Sequence, residues 1–96
     1  MQILHKRAKA EQDLKSIWLY FYKKHGEKQA DKYYDLLILA MKTIEENPEI
    51  GTACDHIRTG YRQYQINKHI IFYRLSTHKI HIVRVLHEKM QSEKNL

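Results

Sequence analysis

Four side chains in the second half of this 96-residue sequence, Arg62, Tyr73, Arg84 and His87, could act on a phosphodiester. Cleavage at a 2'-hydroxyl needs a base for that hydroxyl, an acid for the leaving oxygen and cations for the phosphate. The two arginines and the histidine supply part of that set, and Tyr73 adds a phenol. On an extended strand, however, Arg84 and His87 are three apart and point to opposite faces unless the strand bends between them. Glu88 is the only carboxylate close enough in sequence to tune the histidine. A joint acid and cation role conflicts with the strand period, so no catalytic residue is assigned.

Other chemistries find less. His78 and His81 are three apart, and Cys54 has only His56 beside it, so no four-ligand metal spacing exists. There is no nucleophile elbow and no Gly-Lys-Ser or Gly-Lys-Thr loop to cradle phosphate, and no cofactor is implied.

The elements that position these residues divide near Pro48. Before it, Ala10, Leu14, Ile17, Trp18 and Phe21 trace one helical face, which predicts a first helix over about residues 8 to 25 with Trp18 in the core. Gly26 suits a left-handed helix end, and Ala30, Tyr33, Tyr34, Leu37, Met41 and Ile44 predict a second helix to about Glu46. So short a connection forces an antiparallel hairpin. Lys6, Arg7 and Lys9 stand where the first helix would prefer acids, without a capping side chain.

After Pro48, Tyr61 to Ile66, His69 to Leu75 and Lys79 to His87 are rich in β-branched and aromatic residues, with hairpin-length connections. They predict an antiparallel meander whose last strand is apolar on both faces, Ile80, Ile82 and Leu86 on one and Val83 and Val85 on the other. With a strand at about Gln2 to His5, the expected fold is α+β, a helical hairpin packed on a mainly antiparallel four-stranded sheet. Residues 88 to 96 form a polar tail of the same single domain.

Composition narrows the functional classes. At 43% hydrophobic, with three Gly and one Pro, the chain is too apolar for disorder and too poor in turns for a β-sandwich. Neither a signal peptide nor a membrane span fits, and the expected compartment is the cytoplasm. The net charge is +6, and residues 49 to 96 carry +4 of it, from eight basic and four acidic side chains. An acidic or phosphate-bearing partner is suggested. Seven tyrosines exceed what one small core can bury, and exposed aromatics beside cations favour a protein interface.

The order of these elements, with Glu46-Asn47-Pro48-Glu49-Ile50-Gly51, Cys54-Asp55, Ile57-Arg58, Gly60-Tyr61-Arg62, His69-Ile70-Ile71-Phe72-Tyr73 and Ile82-Val83-Arg84-Val85-Leu86-His87, resembles the ParE toxins of bacterial type II toxin/antitoxin systems. Ala10, Asp13-Leu14, Ile17, Gly26, Ala30 and Tyr33 extend the likeness over nearly the whole chain. It departs at Lys6-Arg7, where a short polar residue more often opens the helix, and at Gln91, where an Asp is frequent.

The resemblance implies a RelE-like fold and a bacterial toxin that binds and poisons DNA gyrase, held inactive by a cognate ParD-like antitoxin. On this footing an amphipathic antitoxin segment is expected against the hairpin and the sheet edge, on Trp18, Tyr22, Arg58, Arg62 and Arg74. Gyrase is expected on the C-terminal strand and tail, around Arg84, His87 and Lys89. No enzymatic activity and no direct sequence-specific nucleic-acid binding are expected. The alternative from the wider superfamily is a RelE-like, ribosome-dependent mRNA endonuclease; a basic module coating nucleic acid is a third reading.

Overall fold

The computed structural model describes residues 2–90 and 92–96. Strand β1 (Ile3–Lys6) leads into helices α1 (Ala8–His25) and α2 (Glu27–Glu46), followed by β2 (Thr52–Ala53), β3 (Tyr61–Ile66), β4 (His69–Leu75), β5 (Lys79–His87) and a short helix α3 (Ser92–Asn95). The sheet order is β1-β5-β4-β3-β2. Every pairing is antiparallel except that of β1 with β5, which runs parallel from Ile3 opposite Lys79 to Lys6 opposite Ile82. The sheet therefore has five strands rather than the expected four. The extra one, β2, is two exposed residues with no apolar pattern of their own, held only by the register of Thr52 and Ala53 on Gln63 and Arg62.

Gly26 alone joins the two helices, with φ 91° and ψ 173°. Its φ is positive as the sequence predicts, but this ψ takes it out of the left-handed helical region into one essentially reserved for glycine. It ends α1, its N–H donating to the Tyr22 carbonyl at 2.9 Å, and starts α2, its carbonyl accepting from the Ala30 N–H at 3.1 Å. At the other end of α1, no side chain caps the helix. The Arg7 N–H instead donates to the Ile82 carbonyl at 3.0 Å, so β5 anchors the residue from which the helix starts.

The hairpin covers one face of the sheet. Leu14, Ile17, Leu37, Met41 and Ile44 pack there with Ile71, Tyr73, Ile80, Ile82 and Val85. The second face buries a smaller group, Cys54, Tyr61, Phe72, Val83 and Leu86, under Ile57 of the loop before β3 and Leu96 of the tail. Val83 and Val85 thus serve different cores, contrary to the simple two-residue alternation. A bulge causes the exchange: Tyr73 pairs with Ile82 and Phe72 with Arg84, leaving Val83 as the extra residue and shifting the phase of β5 beyond it. Trp18 also departs from expectation. It is only half-buried, stacks on Tyr22 at 5.1 Å and donates through Nε1 to Asp31 of α2 at 2.8 Å, bracing the hairpin from outside the core.

Candidate functional site

Beyond Lys6, β1 stops and leaves the second half of β5 without a strand neighbour on that side. Asp13 of α1 fills the gap. Its carboxylate accepts from the Val85 N–H at 2.9 Å and from Arg84 Nε and Nη2 at 2.7 and 2.9 Å, while Arg84 Nη1 donates to the Asn95 carbonyl at 2.6 Å. Both side chains are largely shielded, and the carboxylate holds the guanidinium pKa above its ordinary value. Asp13 sits three residues after Ala10 and four before Ile17, inside the apolar stripe. A charge in that position is the sequence signal that it must be paired.

Between α1 and the end of β5 lies a groove of about 1080 Å³, walled by Ile17, Tyr20, Phe21, Tyr33, His69 and His87. Its floor is a ladder of rings. Phe21 stacks on Tyr33 at 4.3 Å, and Tyr33 meets His69 and His69 meets His87 edge to face, both at 5.3 Å. His69 opens β4 on the same face as Ile71 and Tyr73, so its inward position follows from the strand period. The Tyr33 hydroxyl and His69 Nδ1 share a hydrogen bond at 2.5 Å. Burial, reinforced by the neighbouring His87, lowers the His69 pKa to about 4. Burial likewise raises the Tyr33 phenol. The groove thus sets the hydrogen-bonded Tyr33 and His69, with Lys68 beside them, at one end of an apolar wall, a lining suited to the apolar side of a partner segment.

The four candidates for phosphodiester chemistry do not converge. Tyr73 is fully buried, its hydroxyl donating to the Pro48 carbonyl at 2.7 Å and accepting from the Gly51 N–H at 2.8 Å. Arg62 holds the same loop, donating from Nε to the Gly51 carbonyl and from Nη2 to that of Glu49, each at 3.0 Å. Arg84 is bound to Asp13. His87 faces the groove instead, its Nδ1 accepting from the Lys89 N–H at 3.1 Å. The bulge lies before Arg84 and not between it and His87: Arg84 pairs with Phe72 and His87 with His69, on opposite faces.

The remaining expected contact residues fall into separate groups. Trp18 and Tyr22 lie on the outer side of the hairpin, where Tyr22 is 47% exposed. Arg58 and Arg74 flank Tyr61 on the second face, Arg58 over its ring at 5.9 Å and Arg74 paired with it across β3 and β4. Lys89 is exposed beyond β5. Gln91 lies outside the described residues. Among the described residues no three His, Cys, Asp or Glu side chains gather to hold a metal ion, and no helix is long and apolar enough to cross a membrane.

The family model for the "ParE toxin of type II toxin-antitoxin system, parDE" matches residues 4–92. Toxin ParE1 of Mycobacterium tuberculosis (strain H37Rv) is 41% identical over 88 residues, 91% of this chain and 90% of its own. Toxin ParE1 of Caulobacter vibrioides is 37% identical over 93 residues, 97% and 94% of the two chains. A solved chain described as "Chromosomal ParDE TA system from P. aeruginosa" superposes with a TM-score of 0.82 at 20% identity, covering 91% of this chain and 96% of that one, a likeness of fold.

Proposed function

This chain belongs to the ParE family of toxins of type II toxin-antitoxin systems, and on that premise we propose that it binds and poisons DNA gyrase in the cytoplasm without being an enzyme. The observation that supports the non-enzymatic part is the commitment of Arg62, Tyr73 and Arg84 to internal hydrogen bonds, so that these three do not converge with His87 on one phosphodiester. Gyrase engages the end of β5 and the tail. Of the residues expected there, His87 and Lys89 remain available, whereas Arg84 acts by holding that region to α1.

A ParD-like antitoxin neutralises the toxin. The groove beside α1 supports this reading, since an amphipathic segment laid along it would cover Ile17, Tyr20 and Phe21 and leave its acids facing a chain of net charge +6. Trp18 and Tyr22 extend the contact around the hairpin.

The test is incubation of the purified chain with gyrase, relaxed plasmid and ATP. Loss of supercoiling with linear DNA trapped as a cleavage complex, both abolished by the antitoxin, is the expected result. Intact supercoiling with translation halted first would overturn it in favour of the ribosome-dependent endonuclease.

A further inference from the structure

The face of the sheet turned away from the hairpin carries a straight row of basic and aromatic side chains. His5 pairs with His81, His81 with Arg74 and Arg74 with Tyr61, so the four residues stand side by side across β1, β5, β4 and β3. Arg58 continues the line over the Tyr61 ring. Lys79 lies one pleat along β5 on the same face, opposite Ile3. At the usual strand spacing, the row from His5 to Tyr61 is about 14 Å long, the axial length of about four phosphates of one nucleic-acid strand.

The charges on this face have no counter-ions: among the described residues the one ion pair is that of Arg84 with Asp13, on the far half of β5. Burial lowers the His81 pKa, and the charged groups acting on it, Arg7 at the end of β1, Arg74 on β4, His5 on β1 and Lys79 on β5, all of one sign when charged, lower it further. Such a face repels a divalent cation, so the neighbouring imidazoles of His5 and His81 are not a metal pair.

We propose that this row is a sequence-independent binding surface for the phosphodiester backbone of duplex DNA. An acidic peptide is the poorer match, because protein interfaces centre on a buried apolar anchor and the exposed large apolar side chain on this row is Ile3 at its rim. Single strands fit less well too. They need open rings for stacking, and Tyr61 is 7% exposed beneath Arg58. The proposal is independent of gyrase, which takes no part in its test.

The test is fluorescence anisotropy of a labelled DNA duplex titrated with the full chain alone over a series of salt concentrations. A linear fall of log affinity with log salt is expected, and R74Q/K79Q should reduce its slope by about two. K28Q/K32Q removes the same charge from exposed positions of α2 and should leave the slope unchanged. R58Q, in the loop outside the strands, should reduce the slope by about one and guards against a sheet disturbed by the double variant. Equal losses in R74Q/K79Q and K28Q/K32Q would overturn the proposal, as would absence of binding at low salt. Displacement by polyglutamate as effective as by unlabelled duplex, or tighter binding of single-stranded than duplex DNA, would also overturn it.

Discussion

Asp13 and Arg84 are 71 positions apart in sequence and meet through two hydrogen bonds of 2.7 and 2.9 Å, with the Val85 N–H as a third donor to the same carboxylate. This contact ties α1 to the part of β5 that β1 does not reach, beside the packing of Ile17 with Val85. Removing the carboxylate strands a shielded guanidinium and an unpaired strand N–H. Asp13→Ala should cost about 3 kcal/mol in urea unfolding, the range for breaking a buried pair from one side. Asp13→Asn keeps an acceptor for Val85 and should cost less. Equal losses in the two would show that the charge pairing contributes nothing.

His69 gives the fold an acid limit. Its pKa of about 4 lies below the ordinary 6.5 because burial penalises the cation. Above pH 6.5 the imidazole is neutral folded and unfolded, and it adds no pH dependence. As pH falls from 6.5 towards 4, the unfolded chain takes up a proton that the folded chain refuses, and stability declines, by on the order of 3 kcal/mol once both states are protonated. Urea midpoints between pH 7 and 4 should fall accordingly, and His69→Gln should flatten that part of the profile whatever its stability at pH 7.

Gly51 and Tyr73 form a close pair. A Cβ at Gly51 would stand 2.5 Å from the Tyr73 hydroxyl and 2.9 Å from the Gln63 carbonyl, so Gly51→Ala must move the loop. Tyr73→Phe leaves the Gly51 N–H and the Pro48 carbonyl without their partner, at about 1 to 3 kcal/mol. In the double variant part of the clash and the lost bonds overlap, so the losses should be less than additive; strict additivity in thermal unfolding would contradict the contact.

For the antitoxin, Trp18→Ala and Tyr22→Ala should each weaken the complex by about 1 to 2 kcal/mol in calorimetry, the scale of aromatic anchors. Charge reversal is informative at Arg58, which is exposed, and not at Arg62, whose loss would release the loop at Glu49 to Gly51. Unchanged affinity in Trp18→Ala and Tyr22→Ala would place the antitoxin elsewhere, and a loss in Arg58→Glu would extend its contact to the second face.

For gyrase, the structure makes point changes better probes than truncation. Leu96 packs on the second core and the Asn95 carbonyl holds Arg84, so deleting residues 88 to 96 would damage the fold as well as any interface. Lys89→Ala together with His87→Ala should lower cleavage-complex yield about tenfold with little change in unfolding midpoint. An unaltered yield would remove the end of β5 from the gyrase contact.

The helices and the three long strands were legible because each is set by local periodicity and by stops such as Gly26 and Pro48. The bulge at Val83 was not, since it arises only when β4 and β5 are laid side by side. Nor did sequence reveal that Arg62, Tyr73 and Arg84 are spent inside the molecule, for their partners lie 11, 25 and 71 residues away. The row of basic and aromatic residues on the second face has the same origin. Four strands contribute one residue each, and no window of sequence contains the pattern.

The parallel pairing of β1 with β5 also sets an order of manufacture. Strand β1 leaves the ribosome well before its partner β5, and Ile80, Ile82, Val83, Val85 and Leu86 complete both cores only when residues 79–87 have emerged. A chain truncated upstream of that stretch therefore has open sheet edges and two unfinished interiors, and is a target for proteolysis rather than a folded domain.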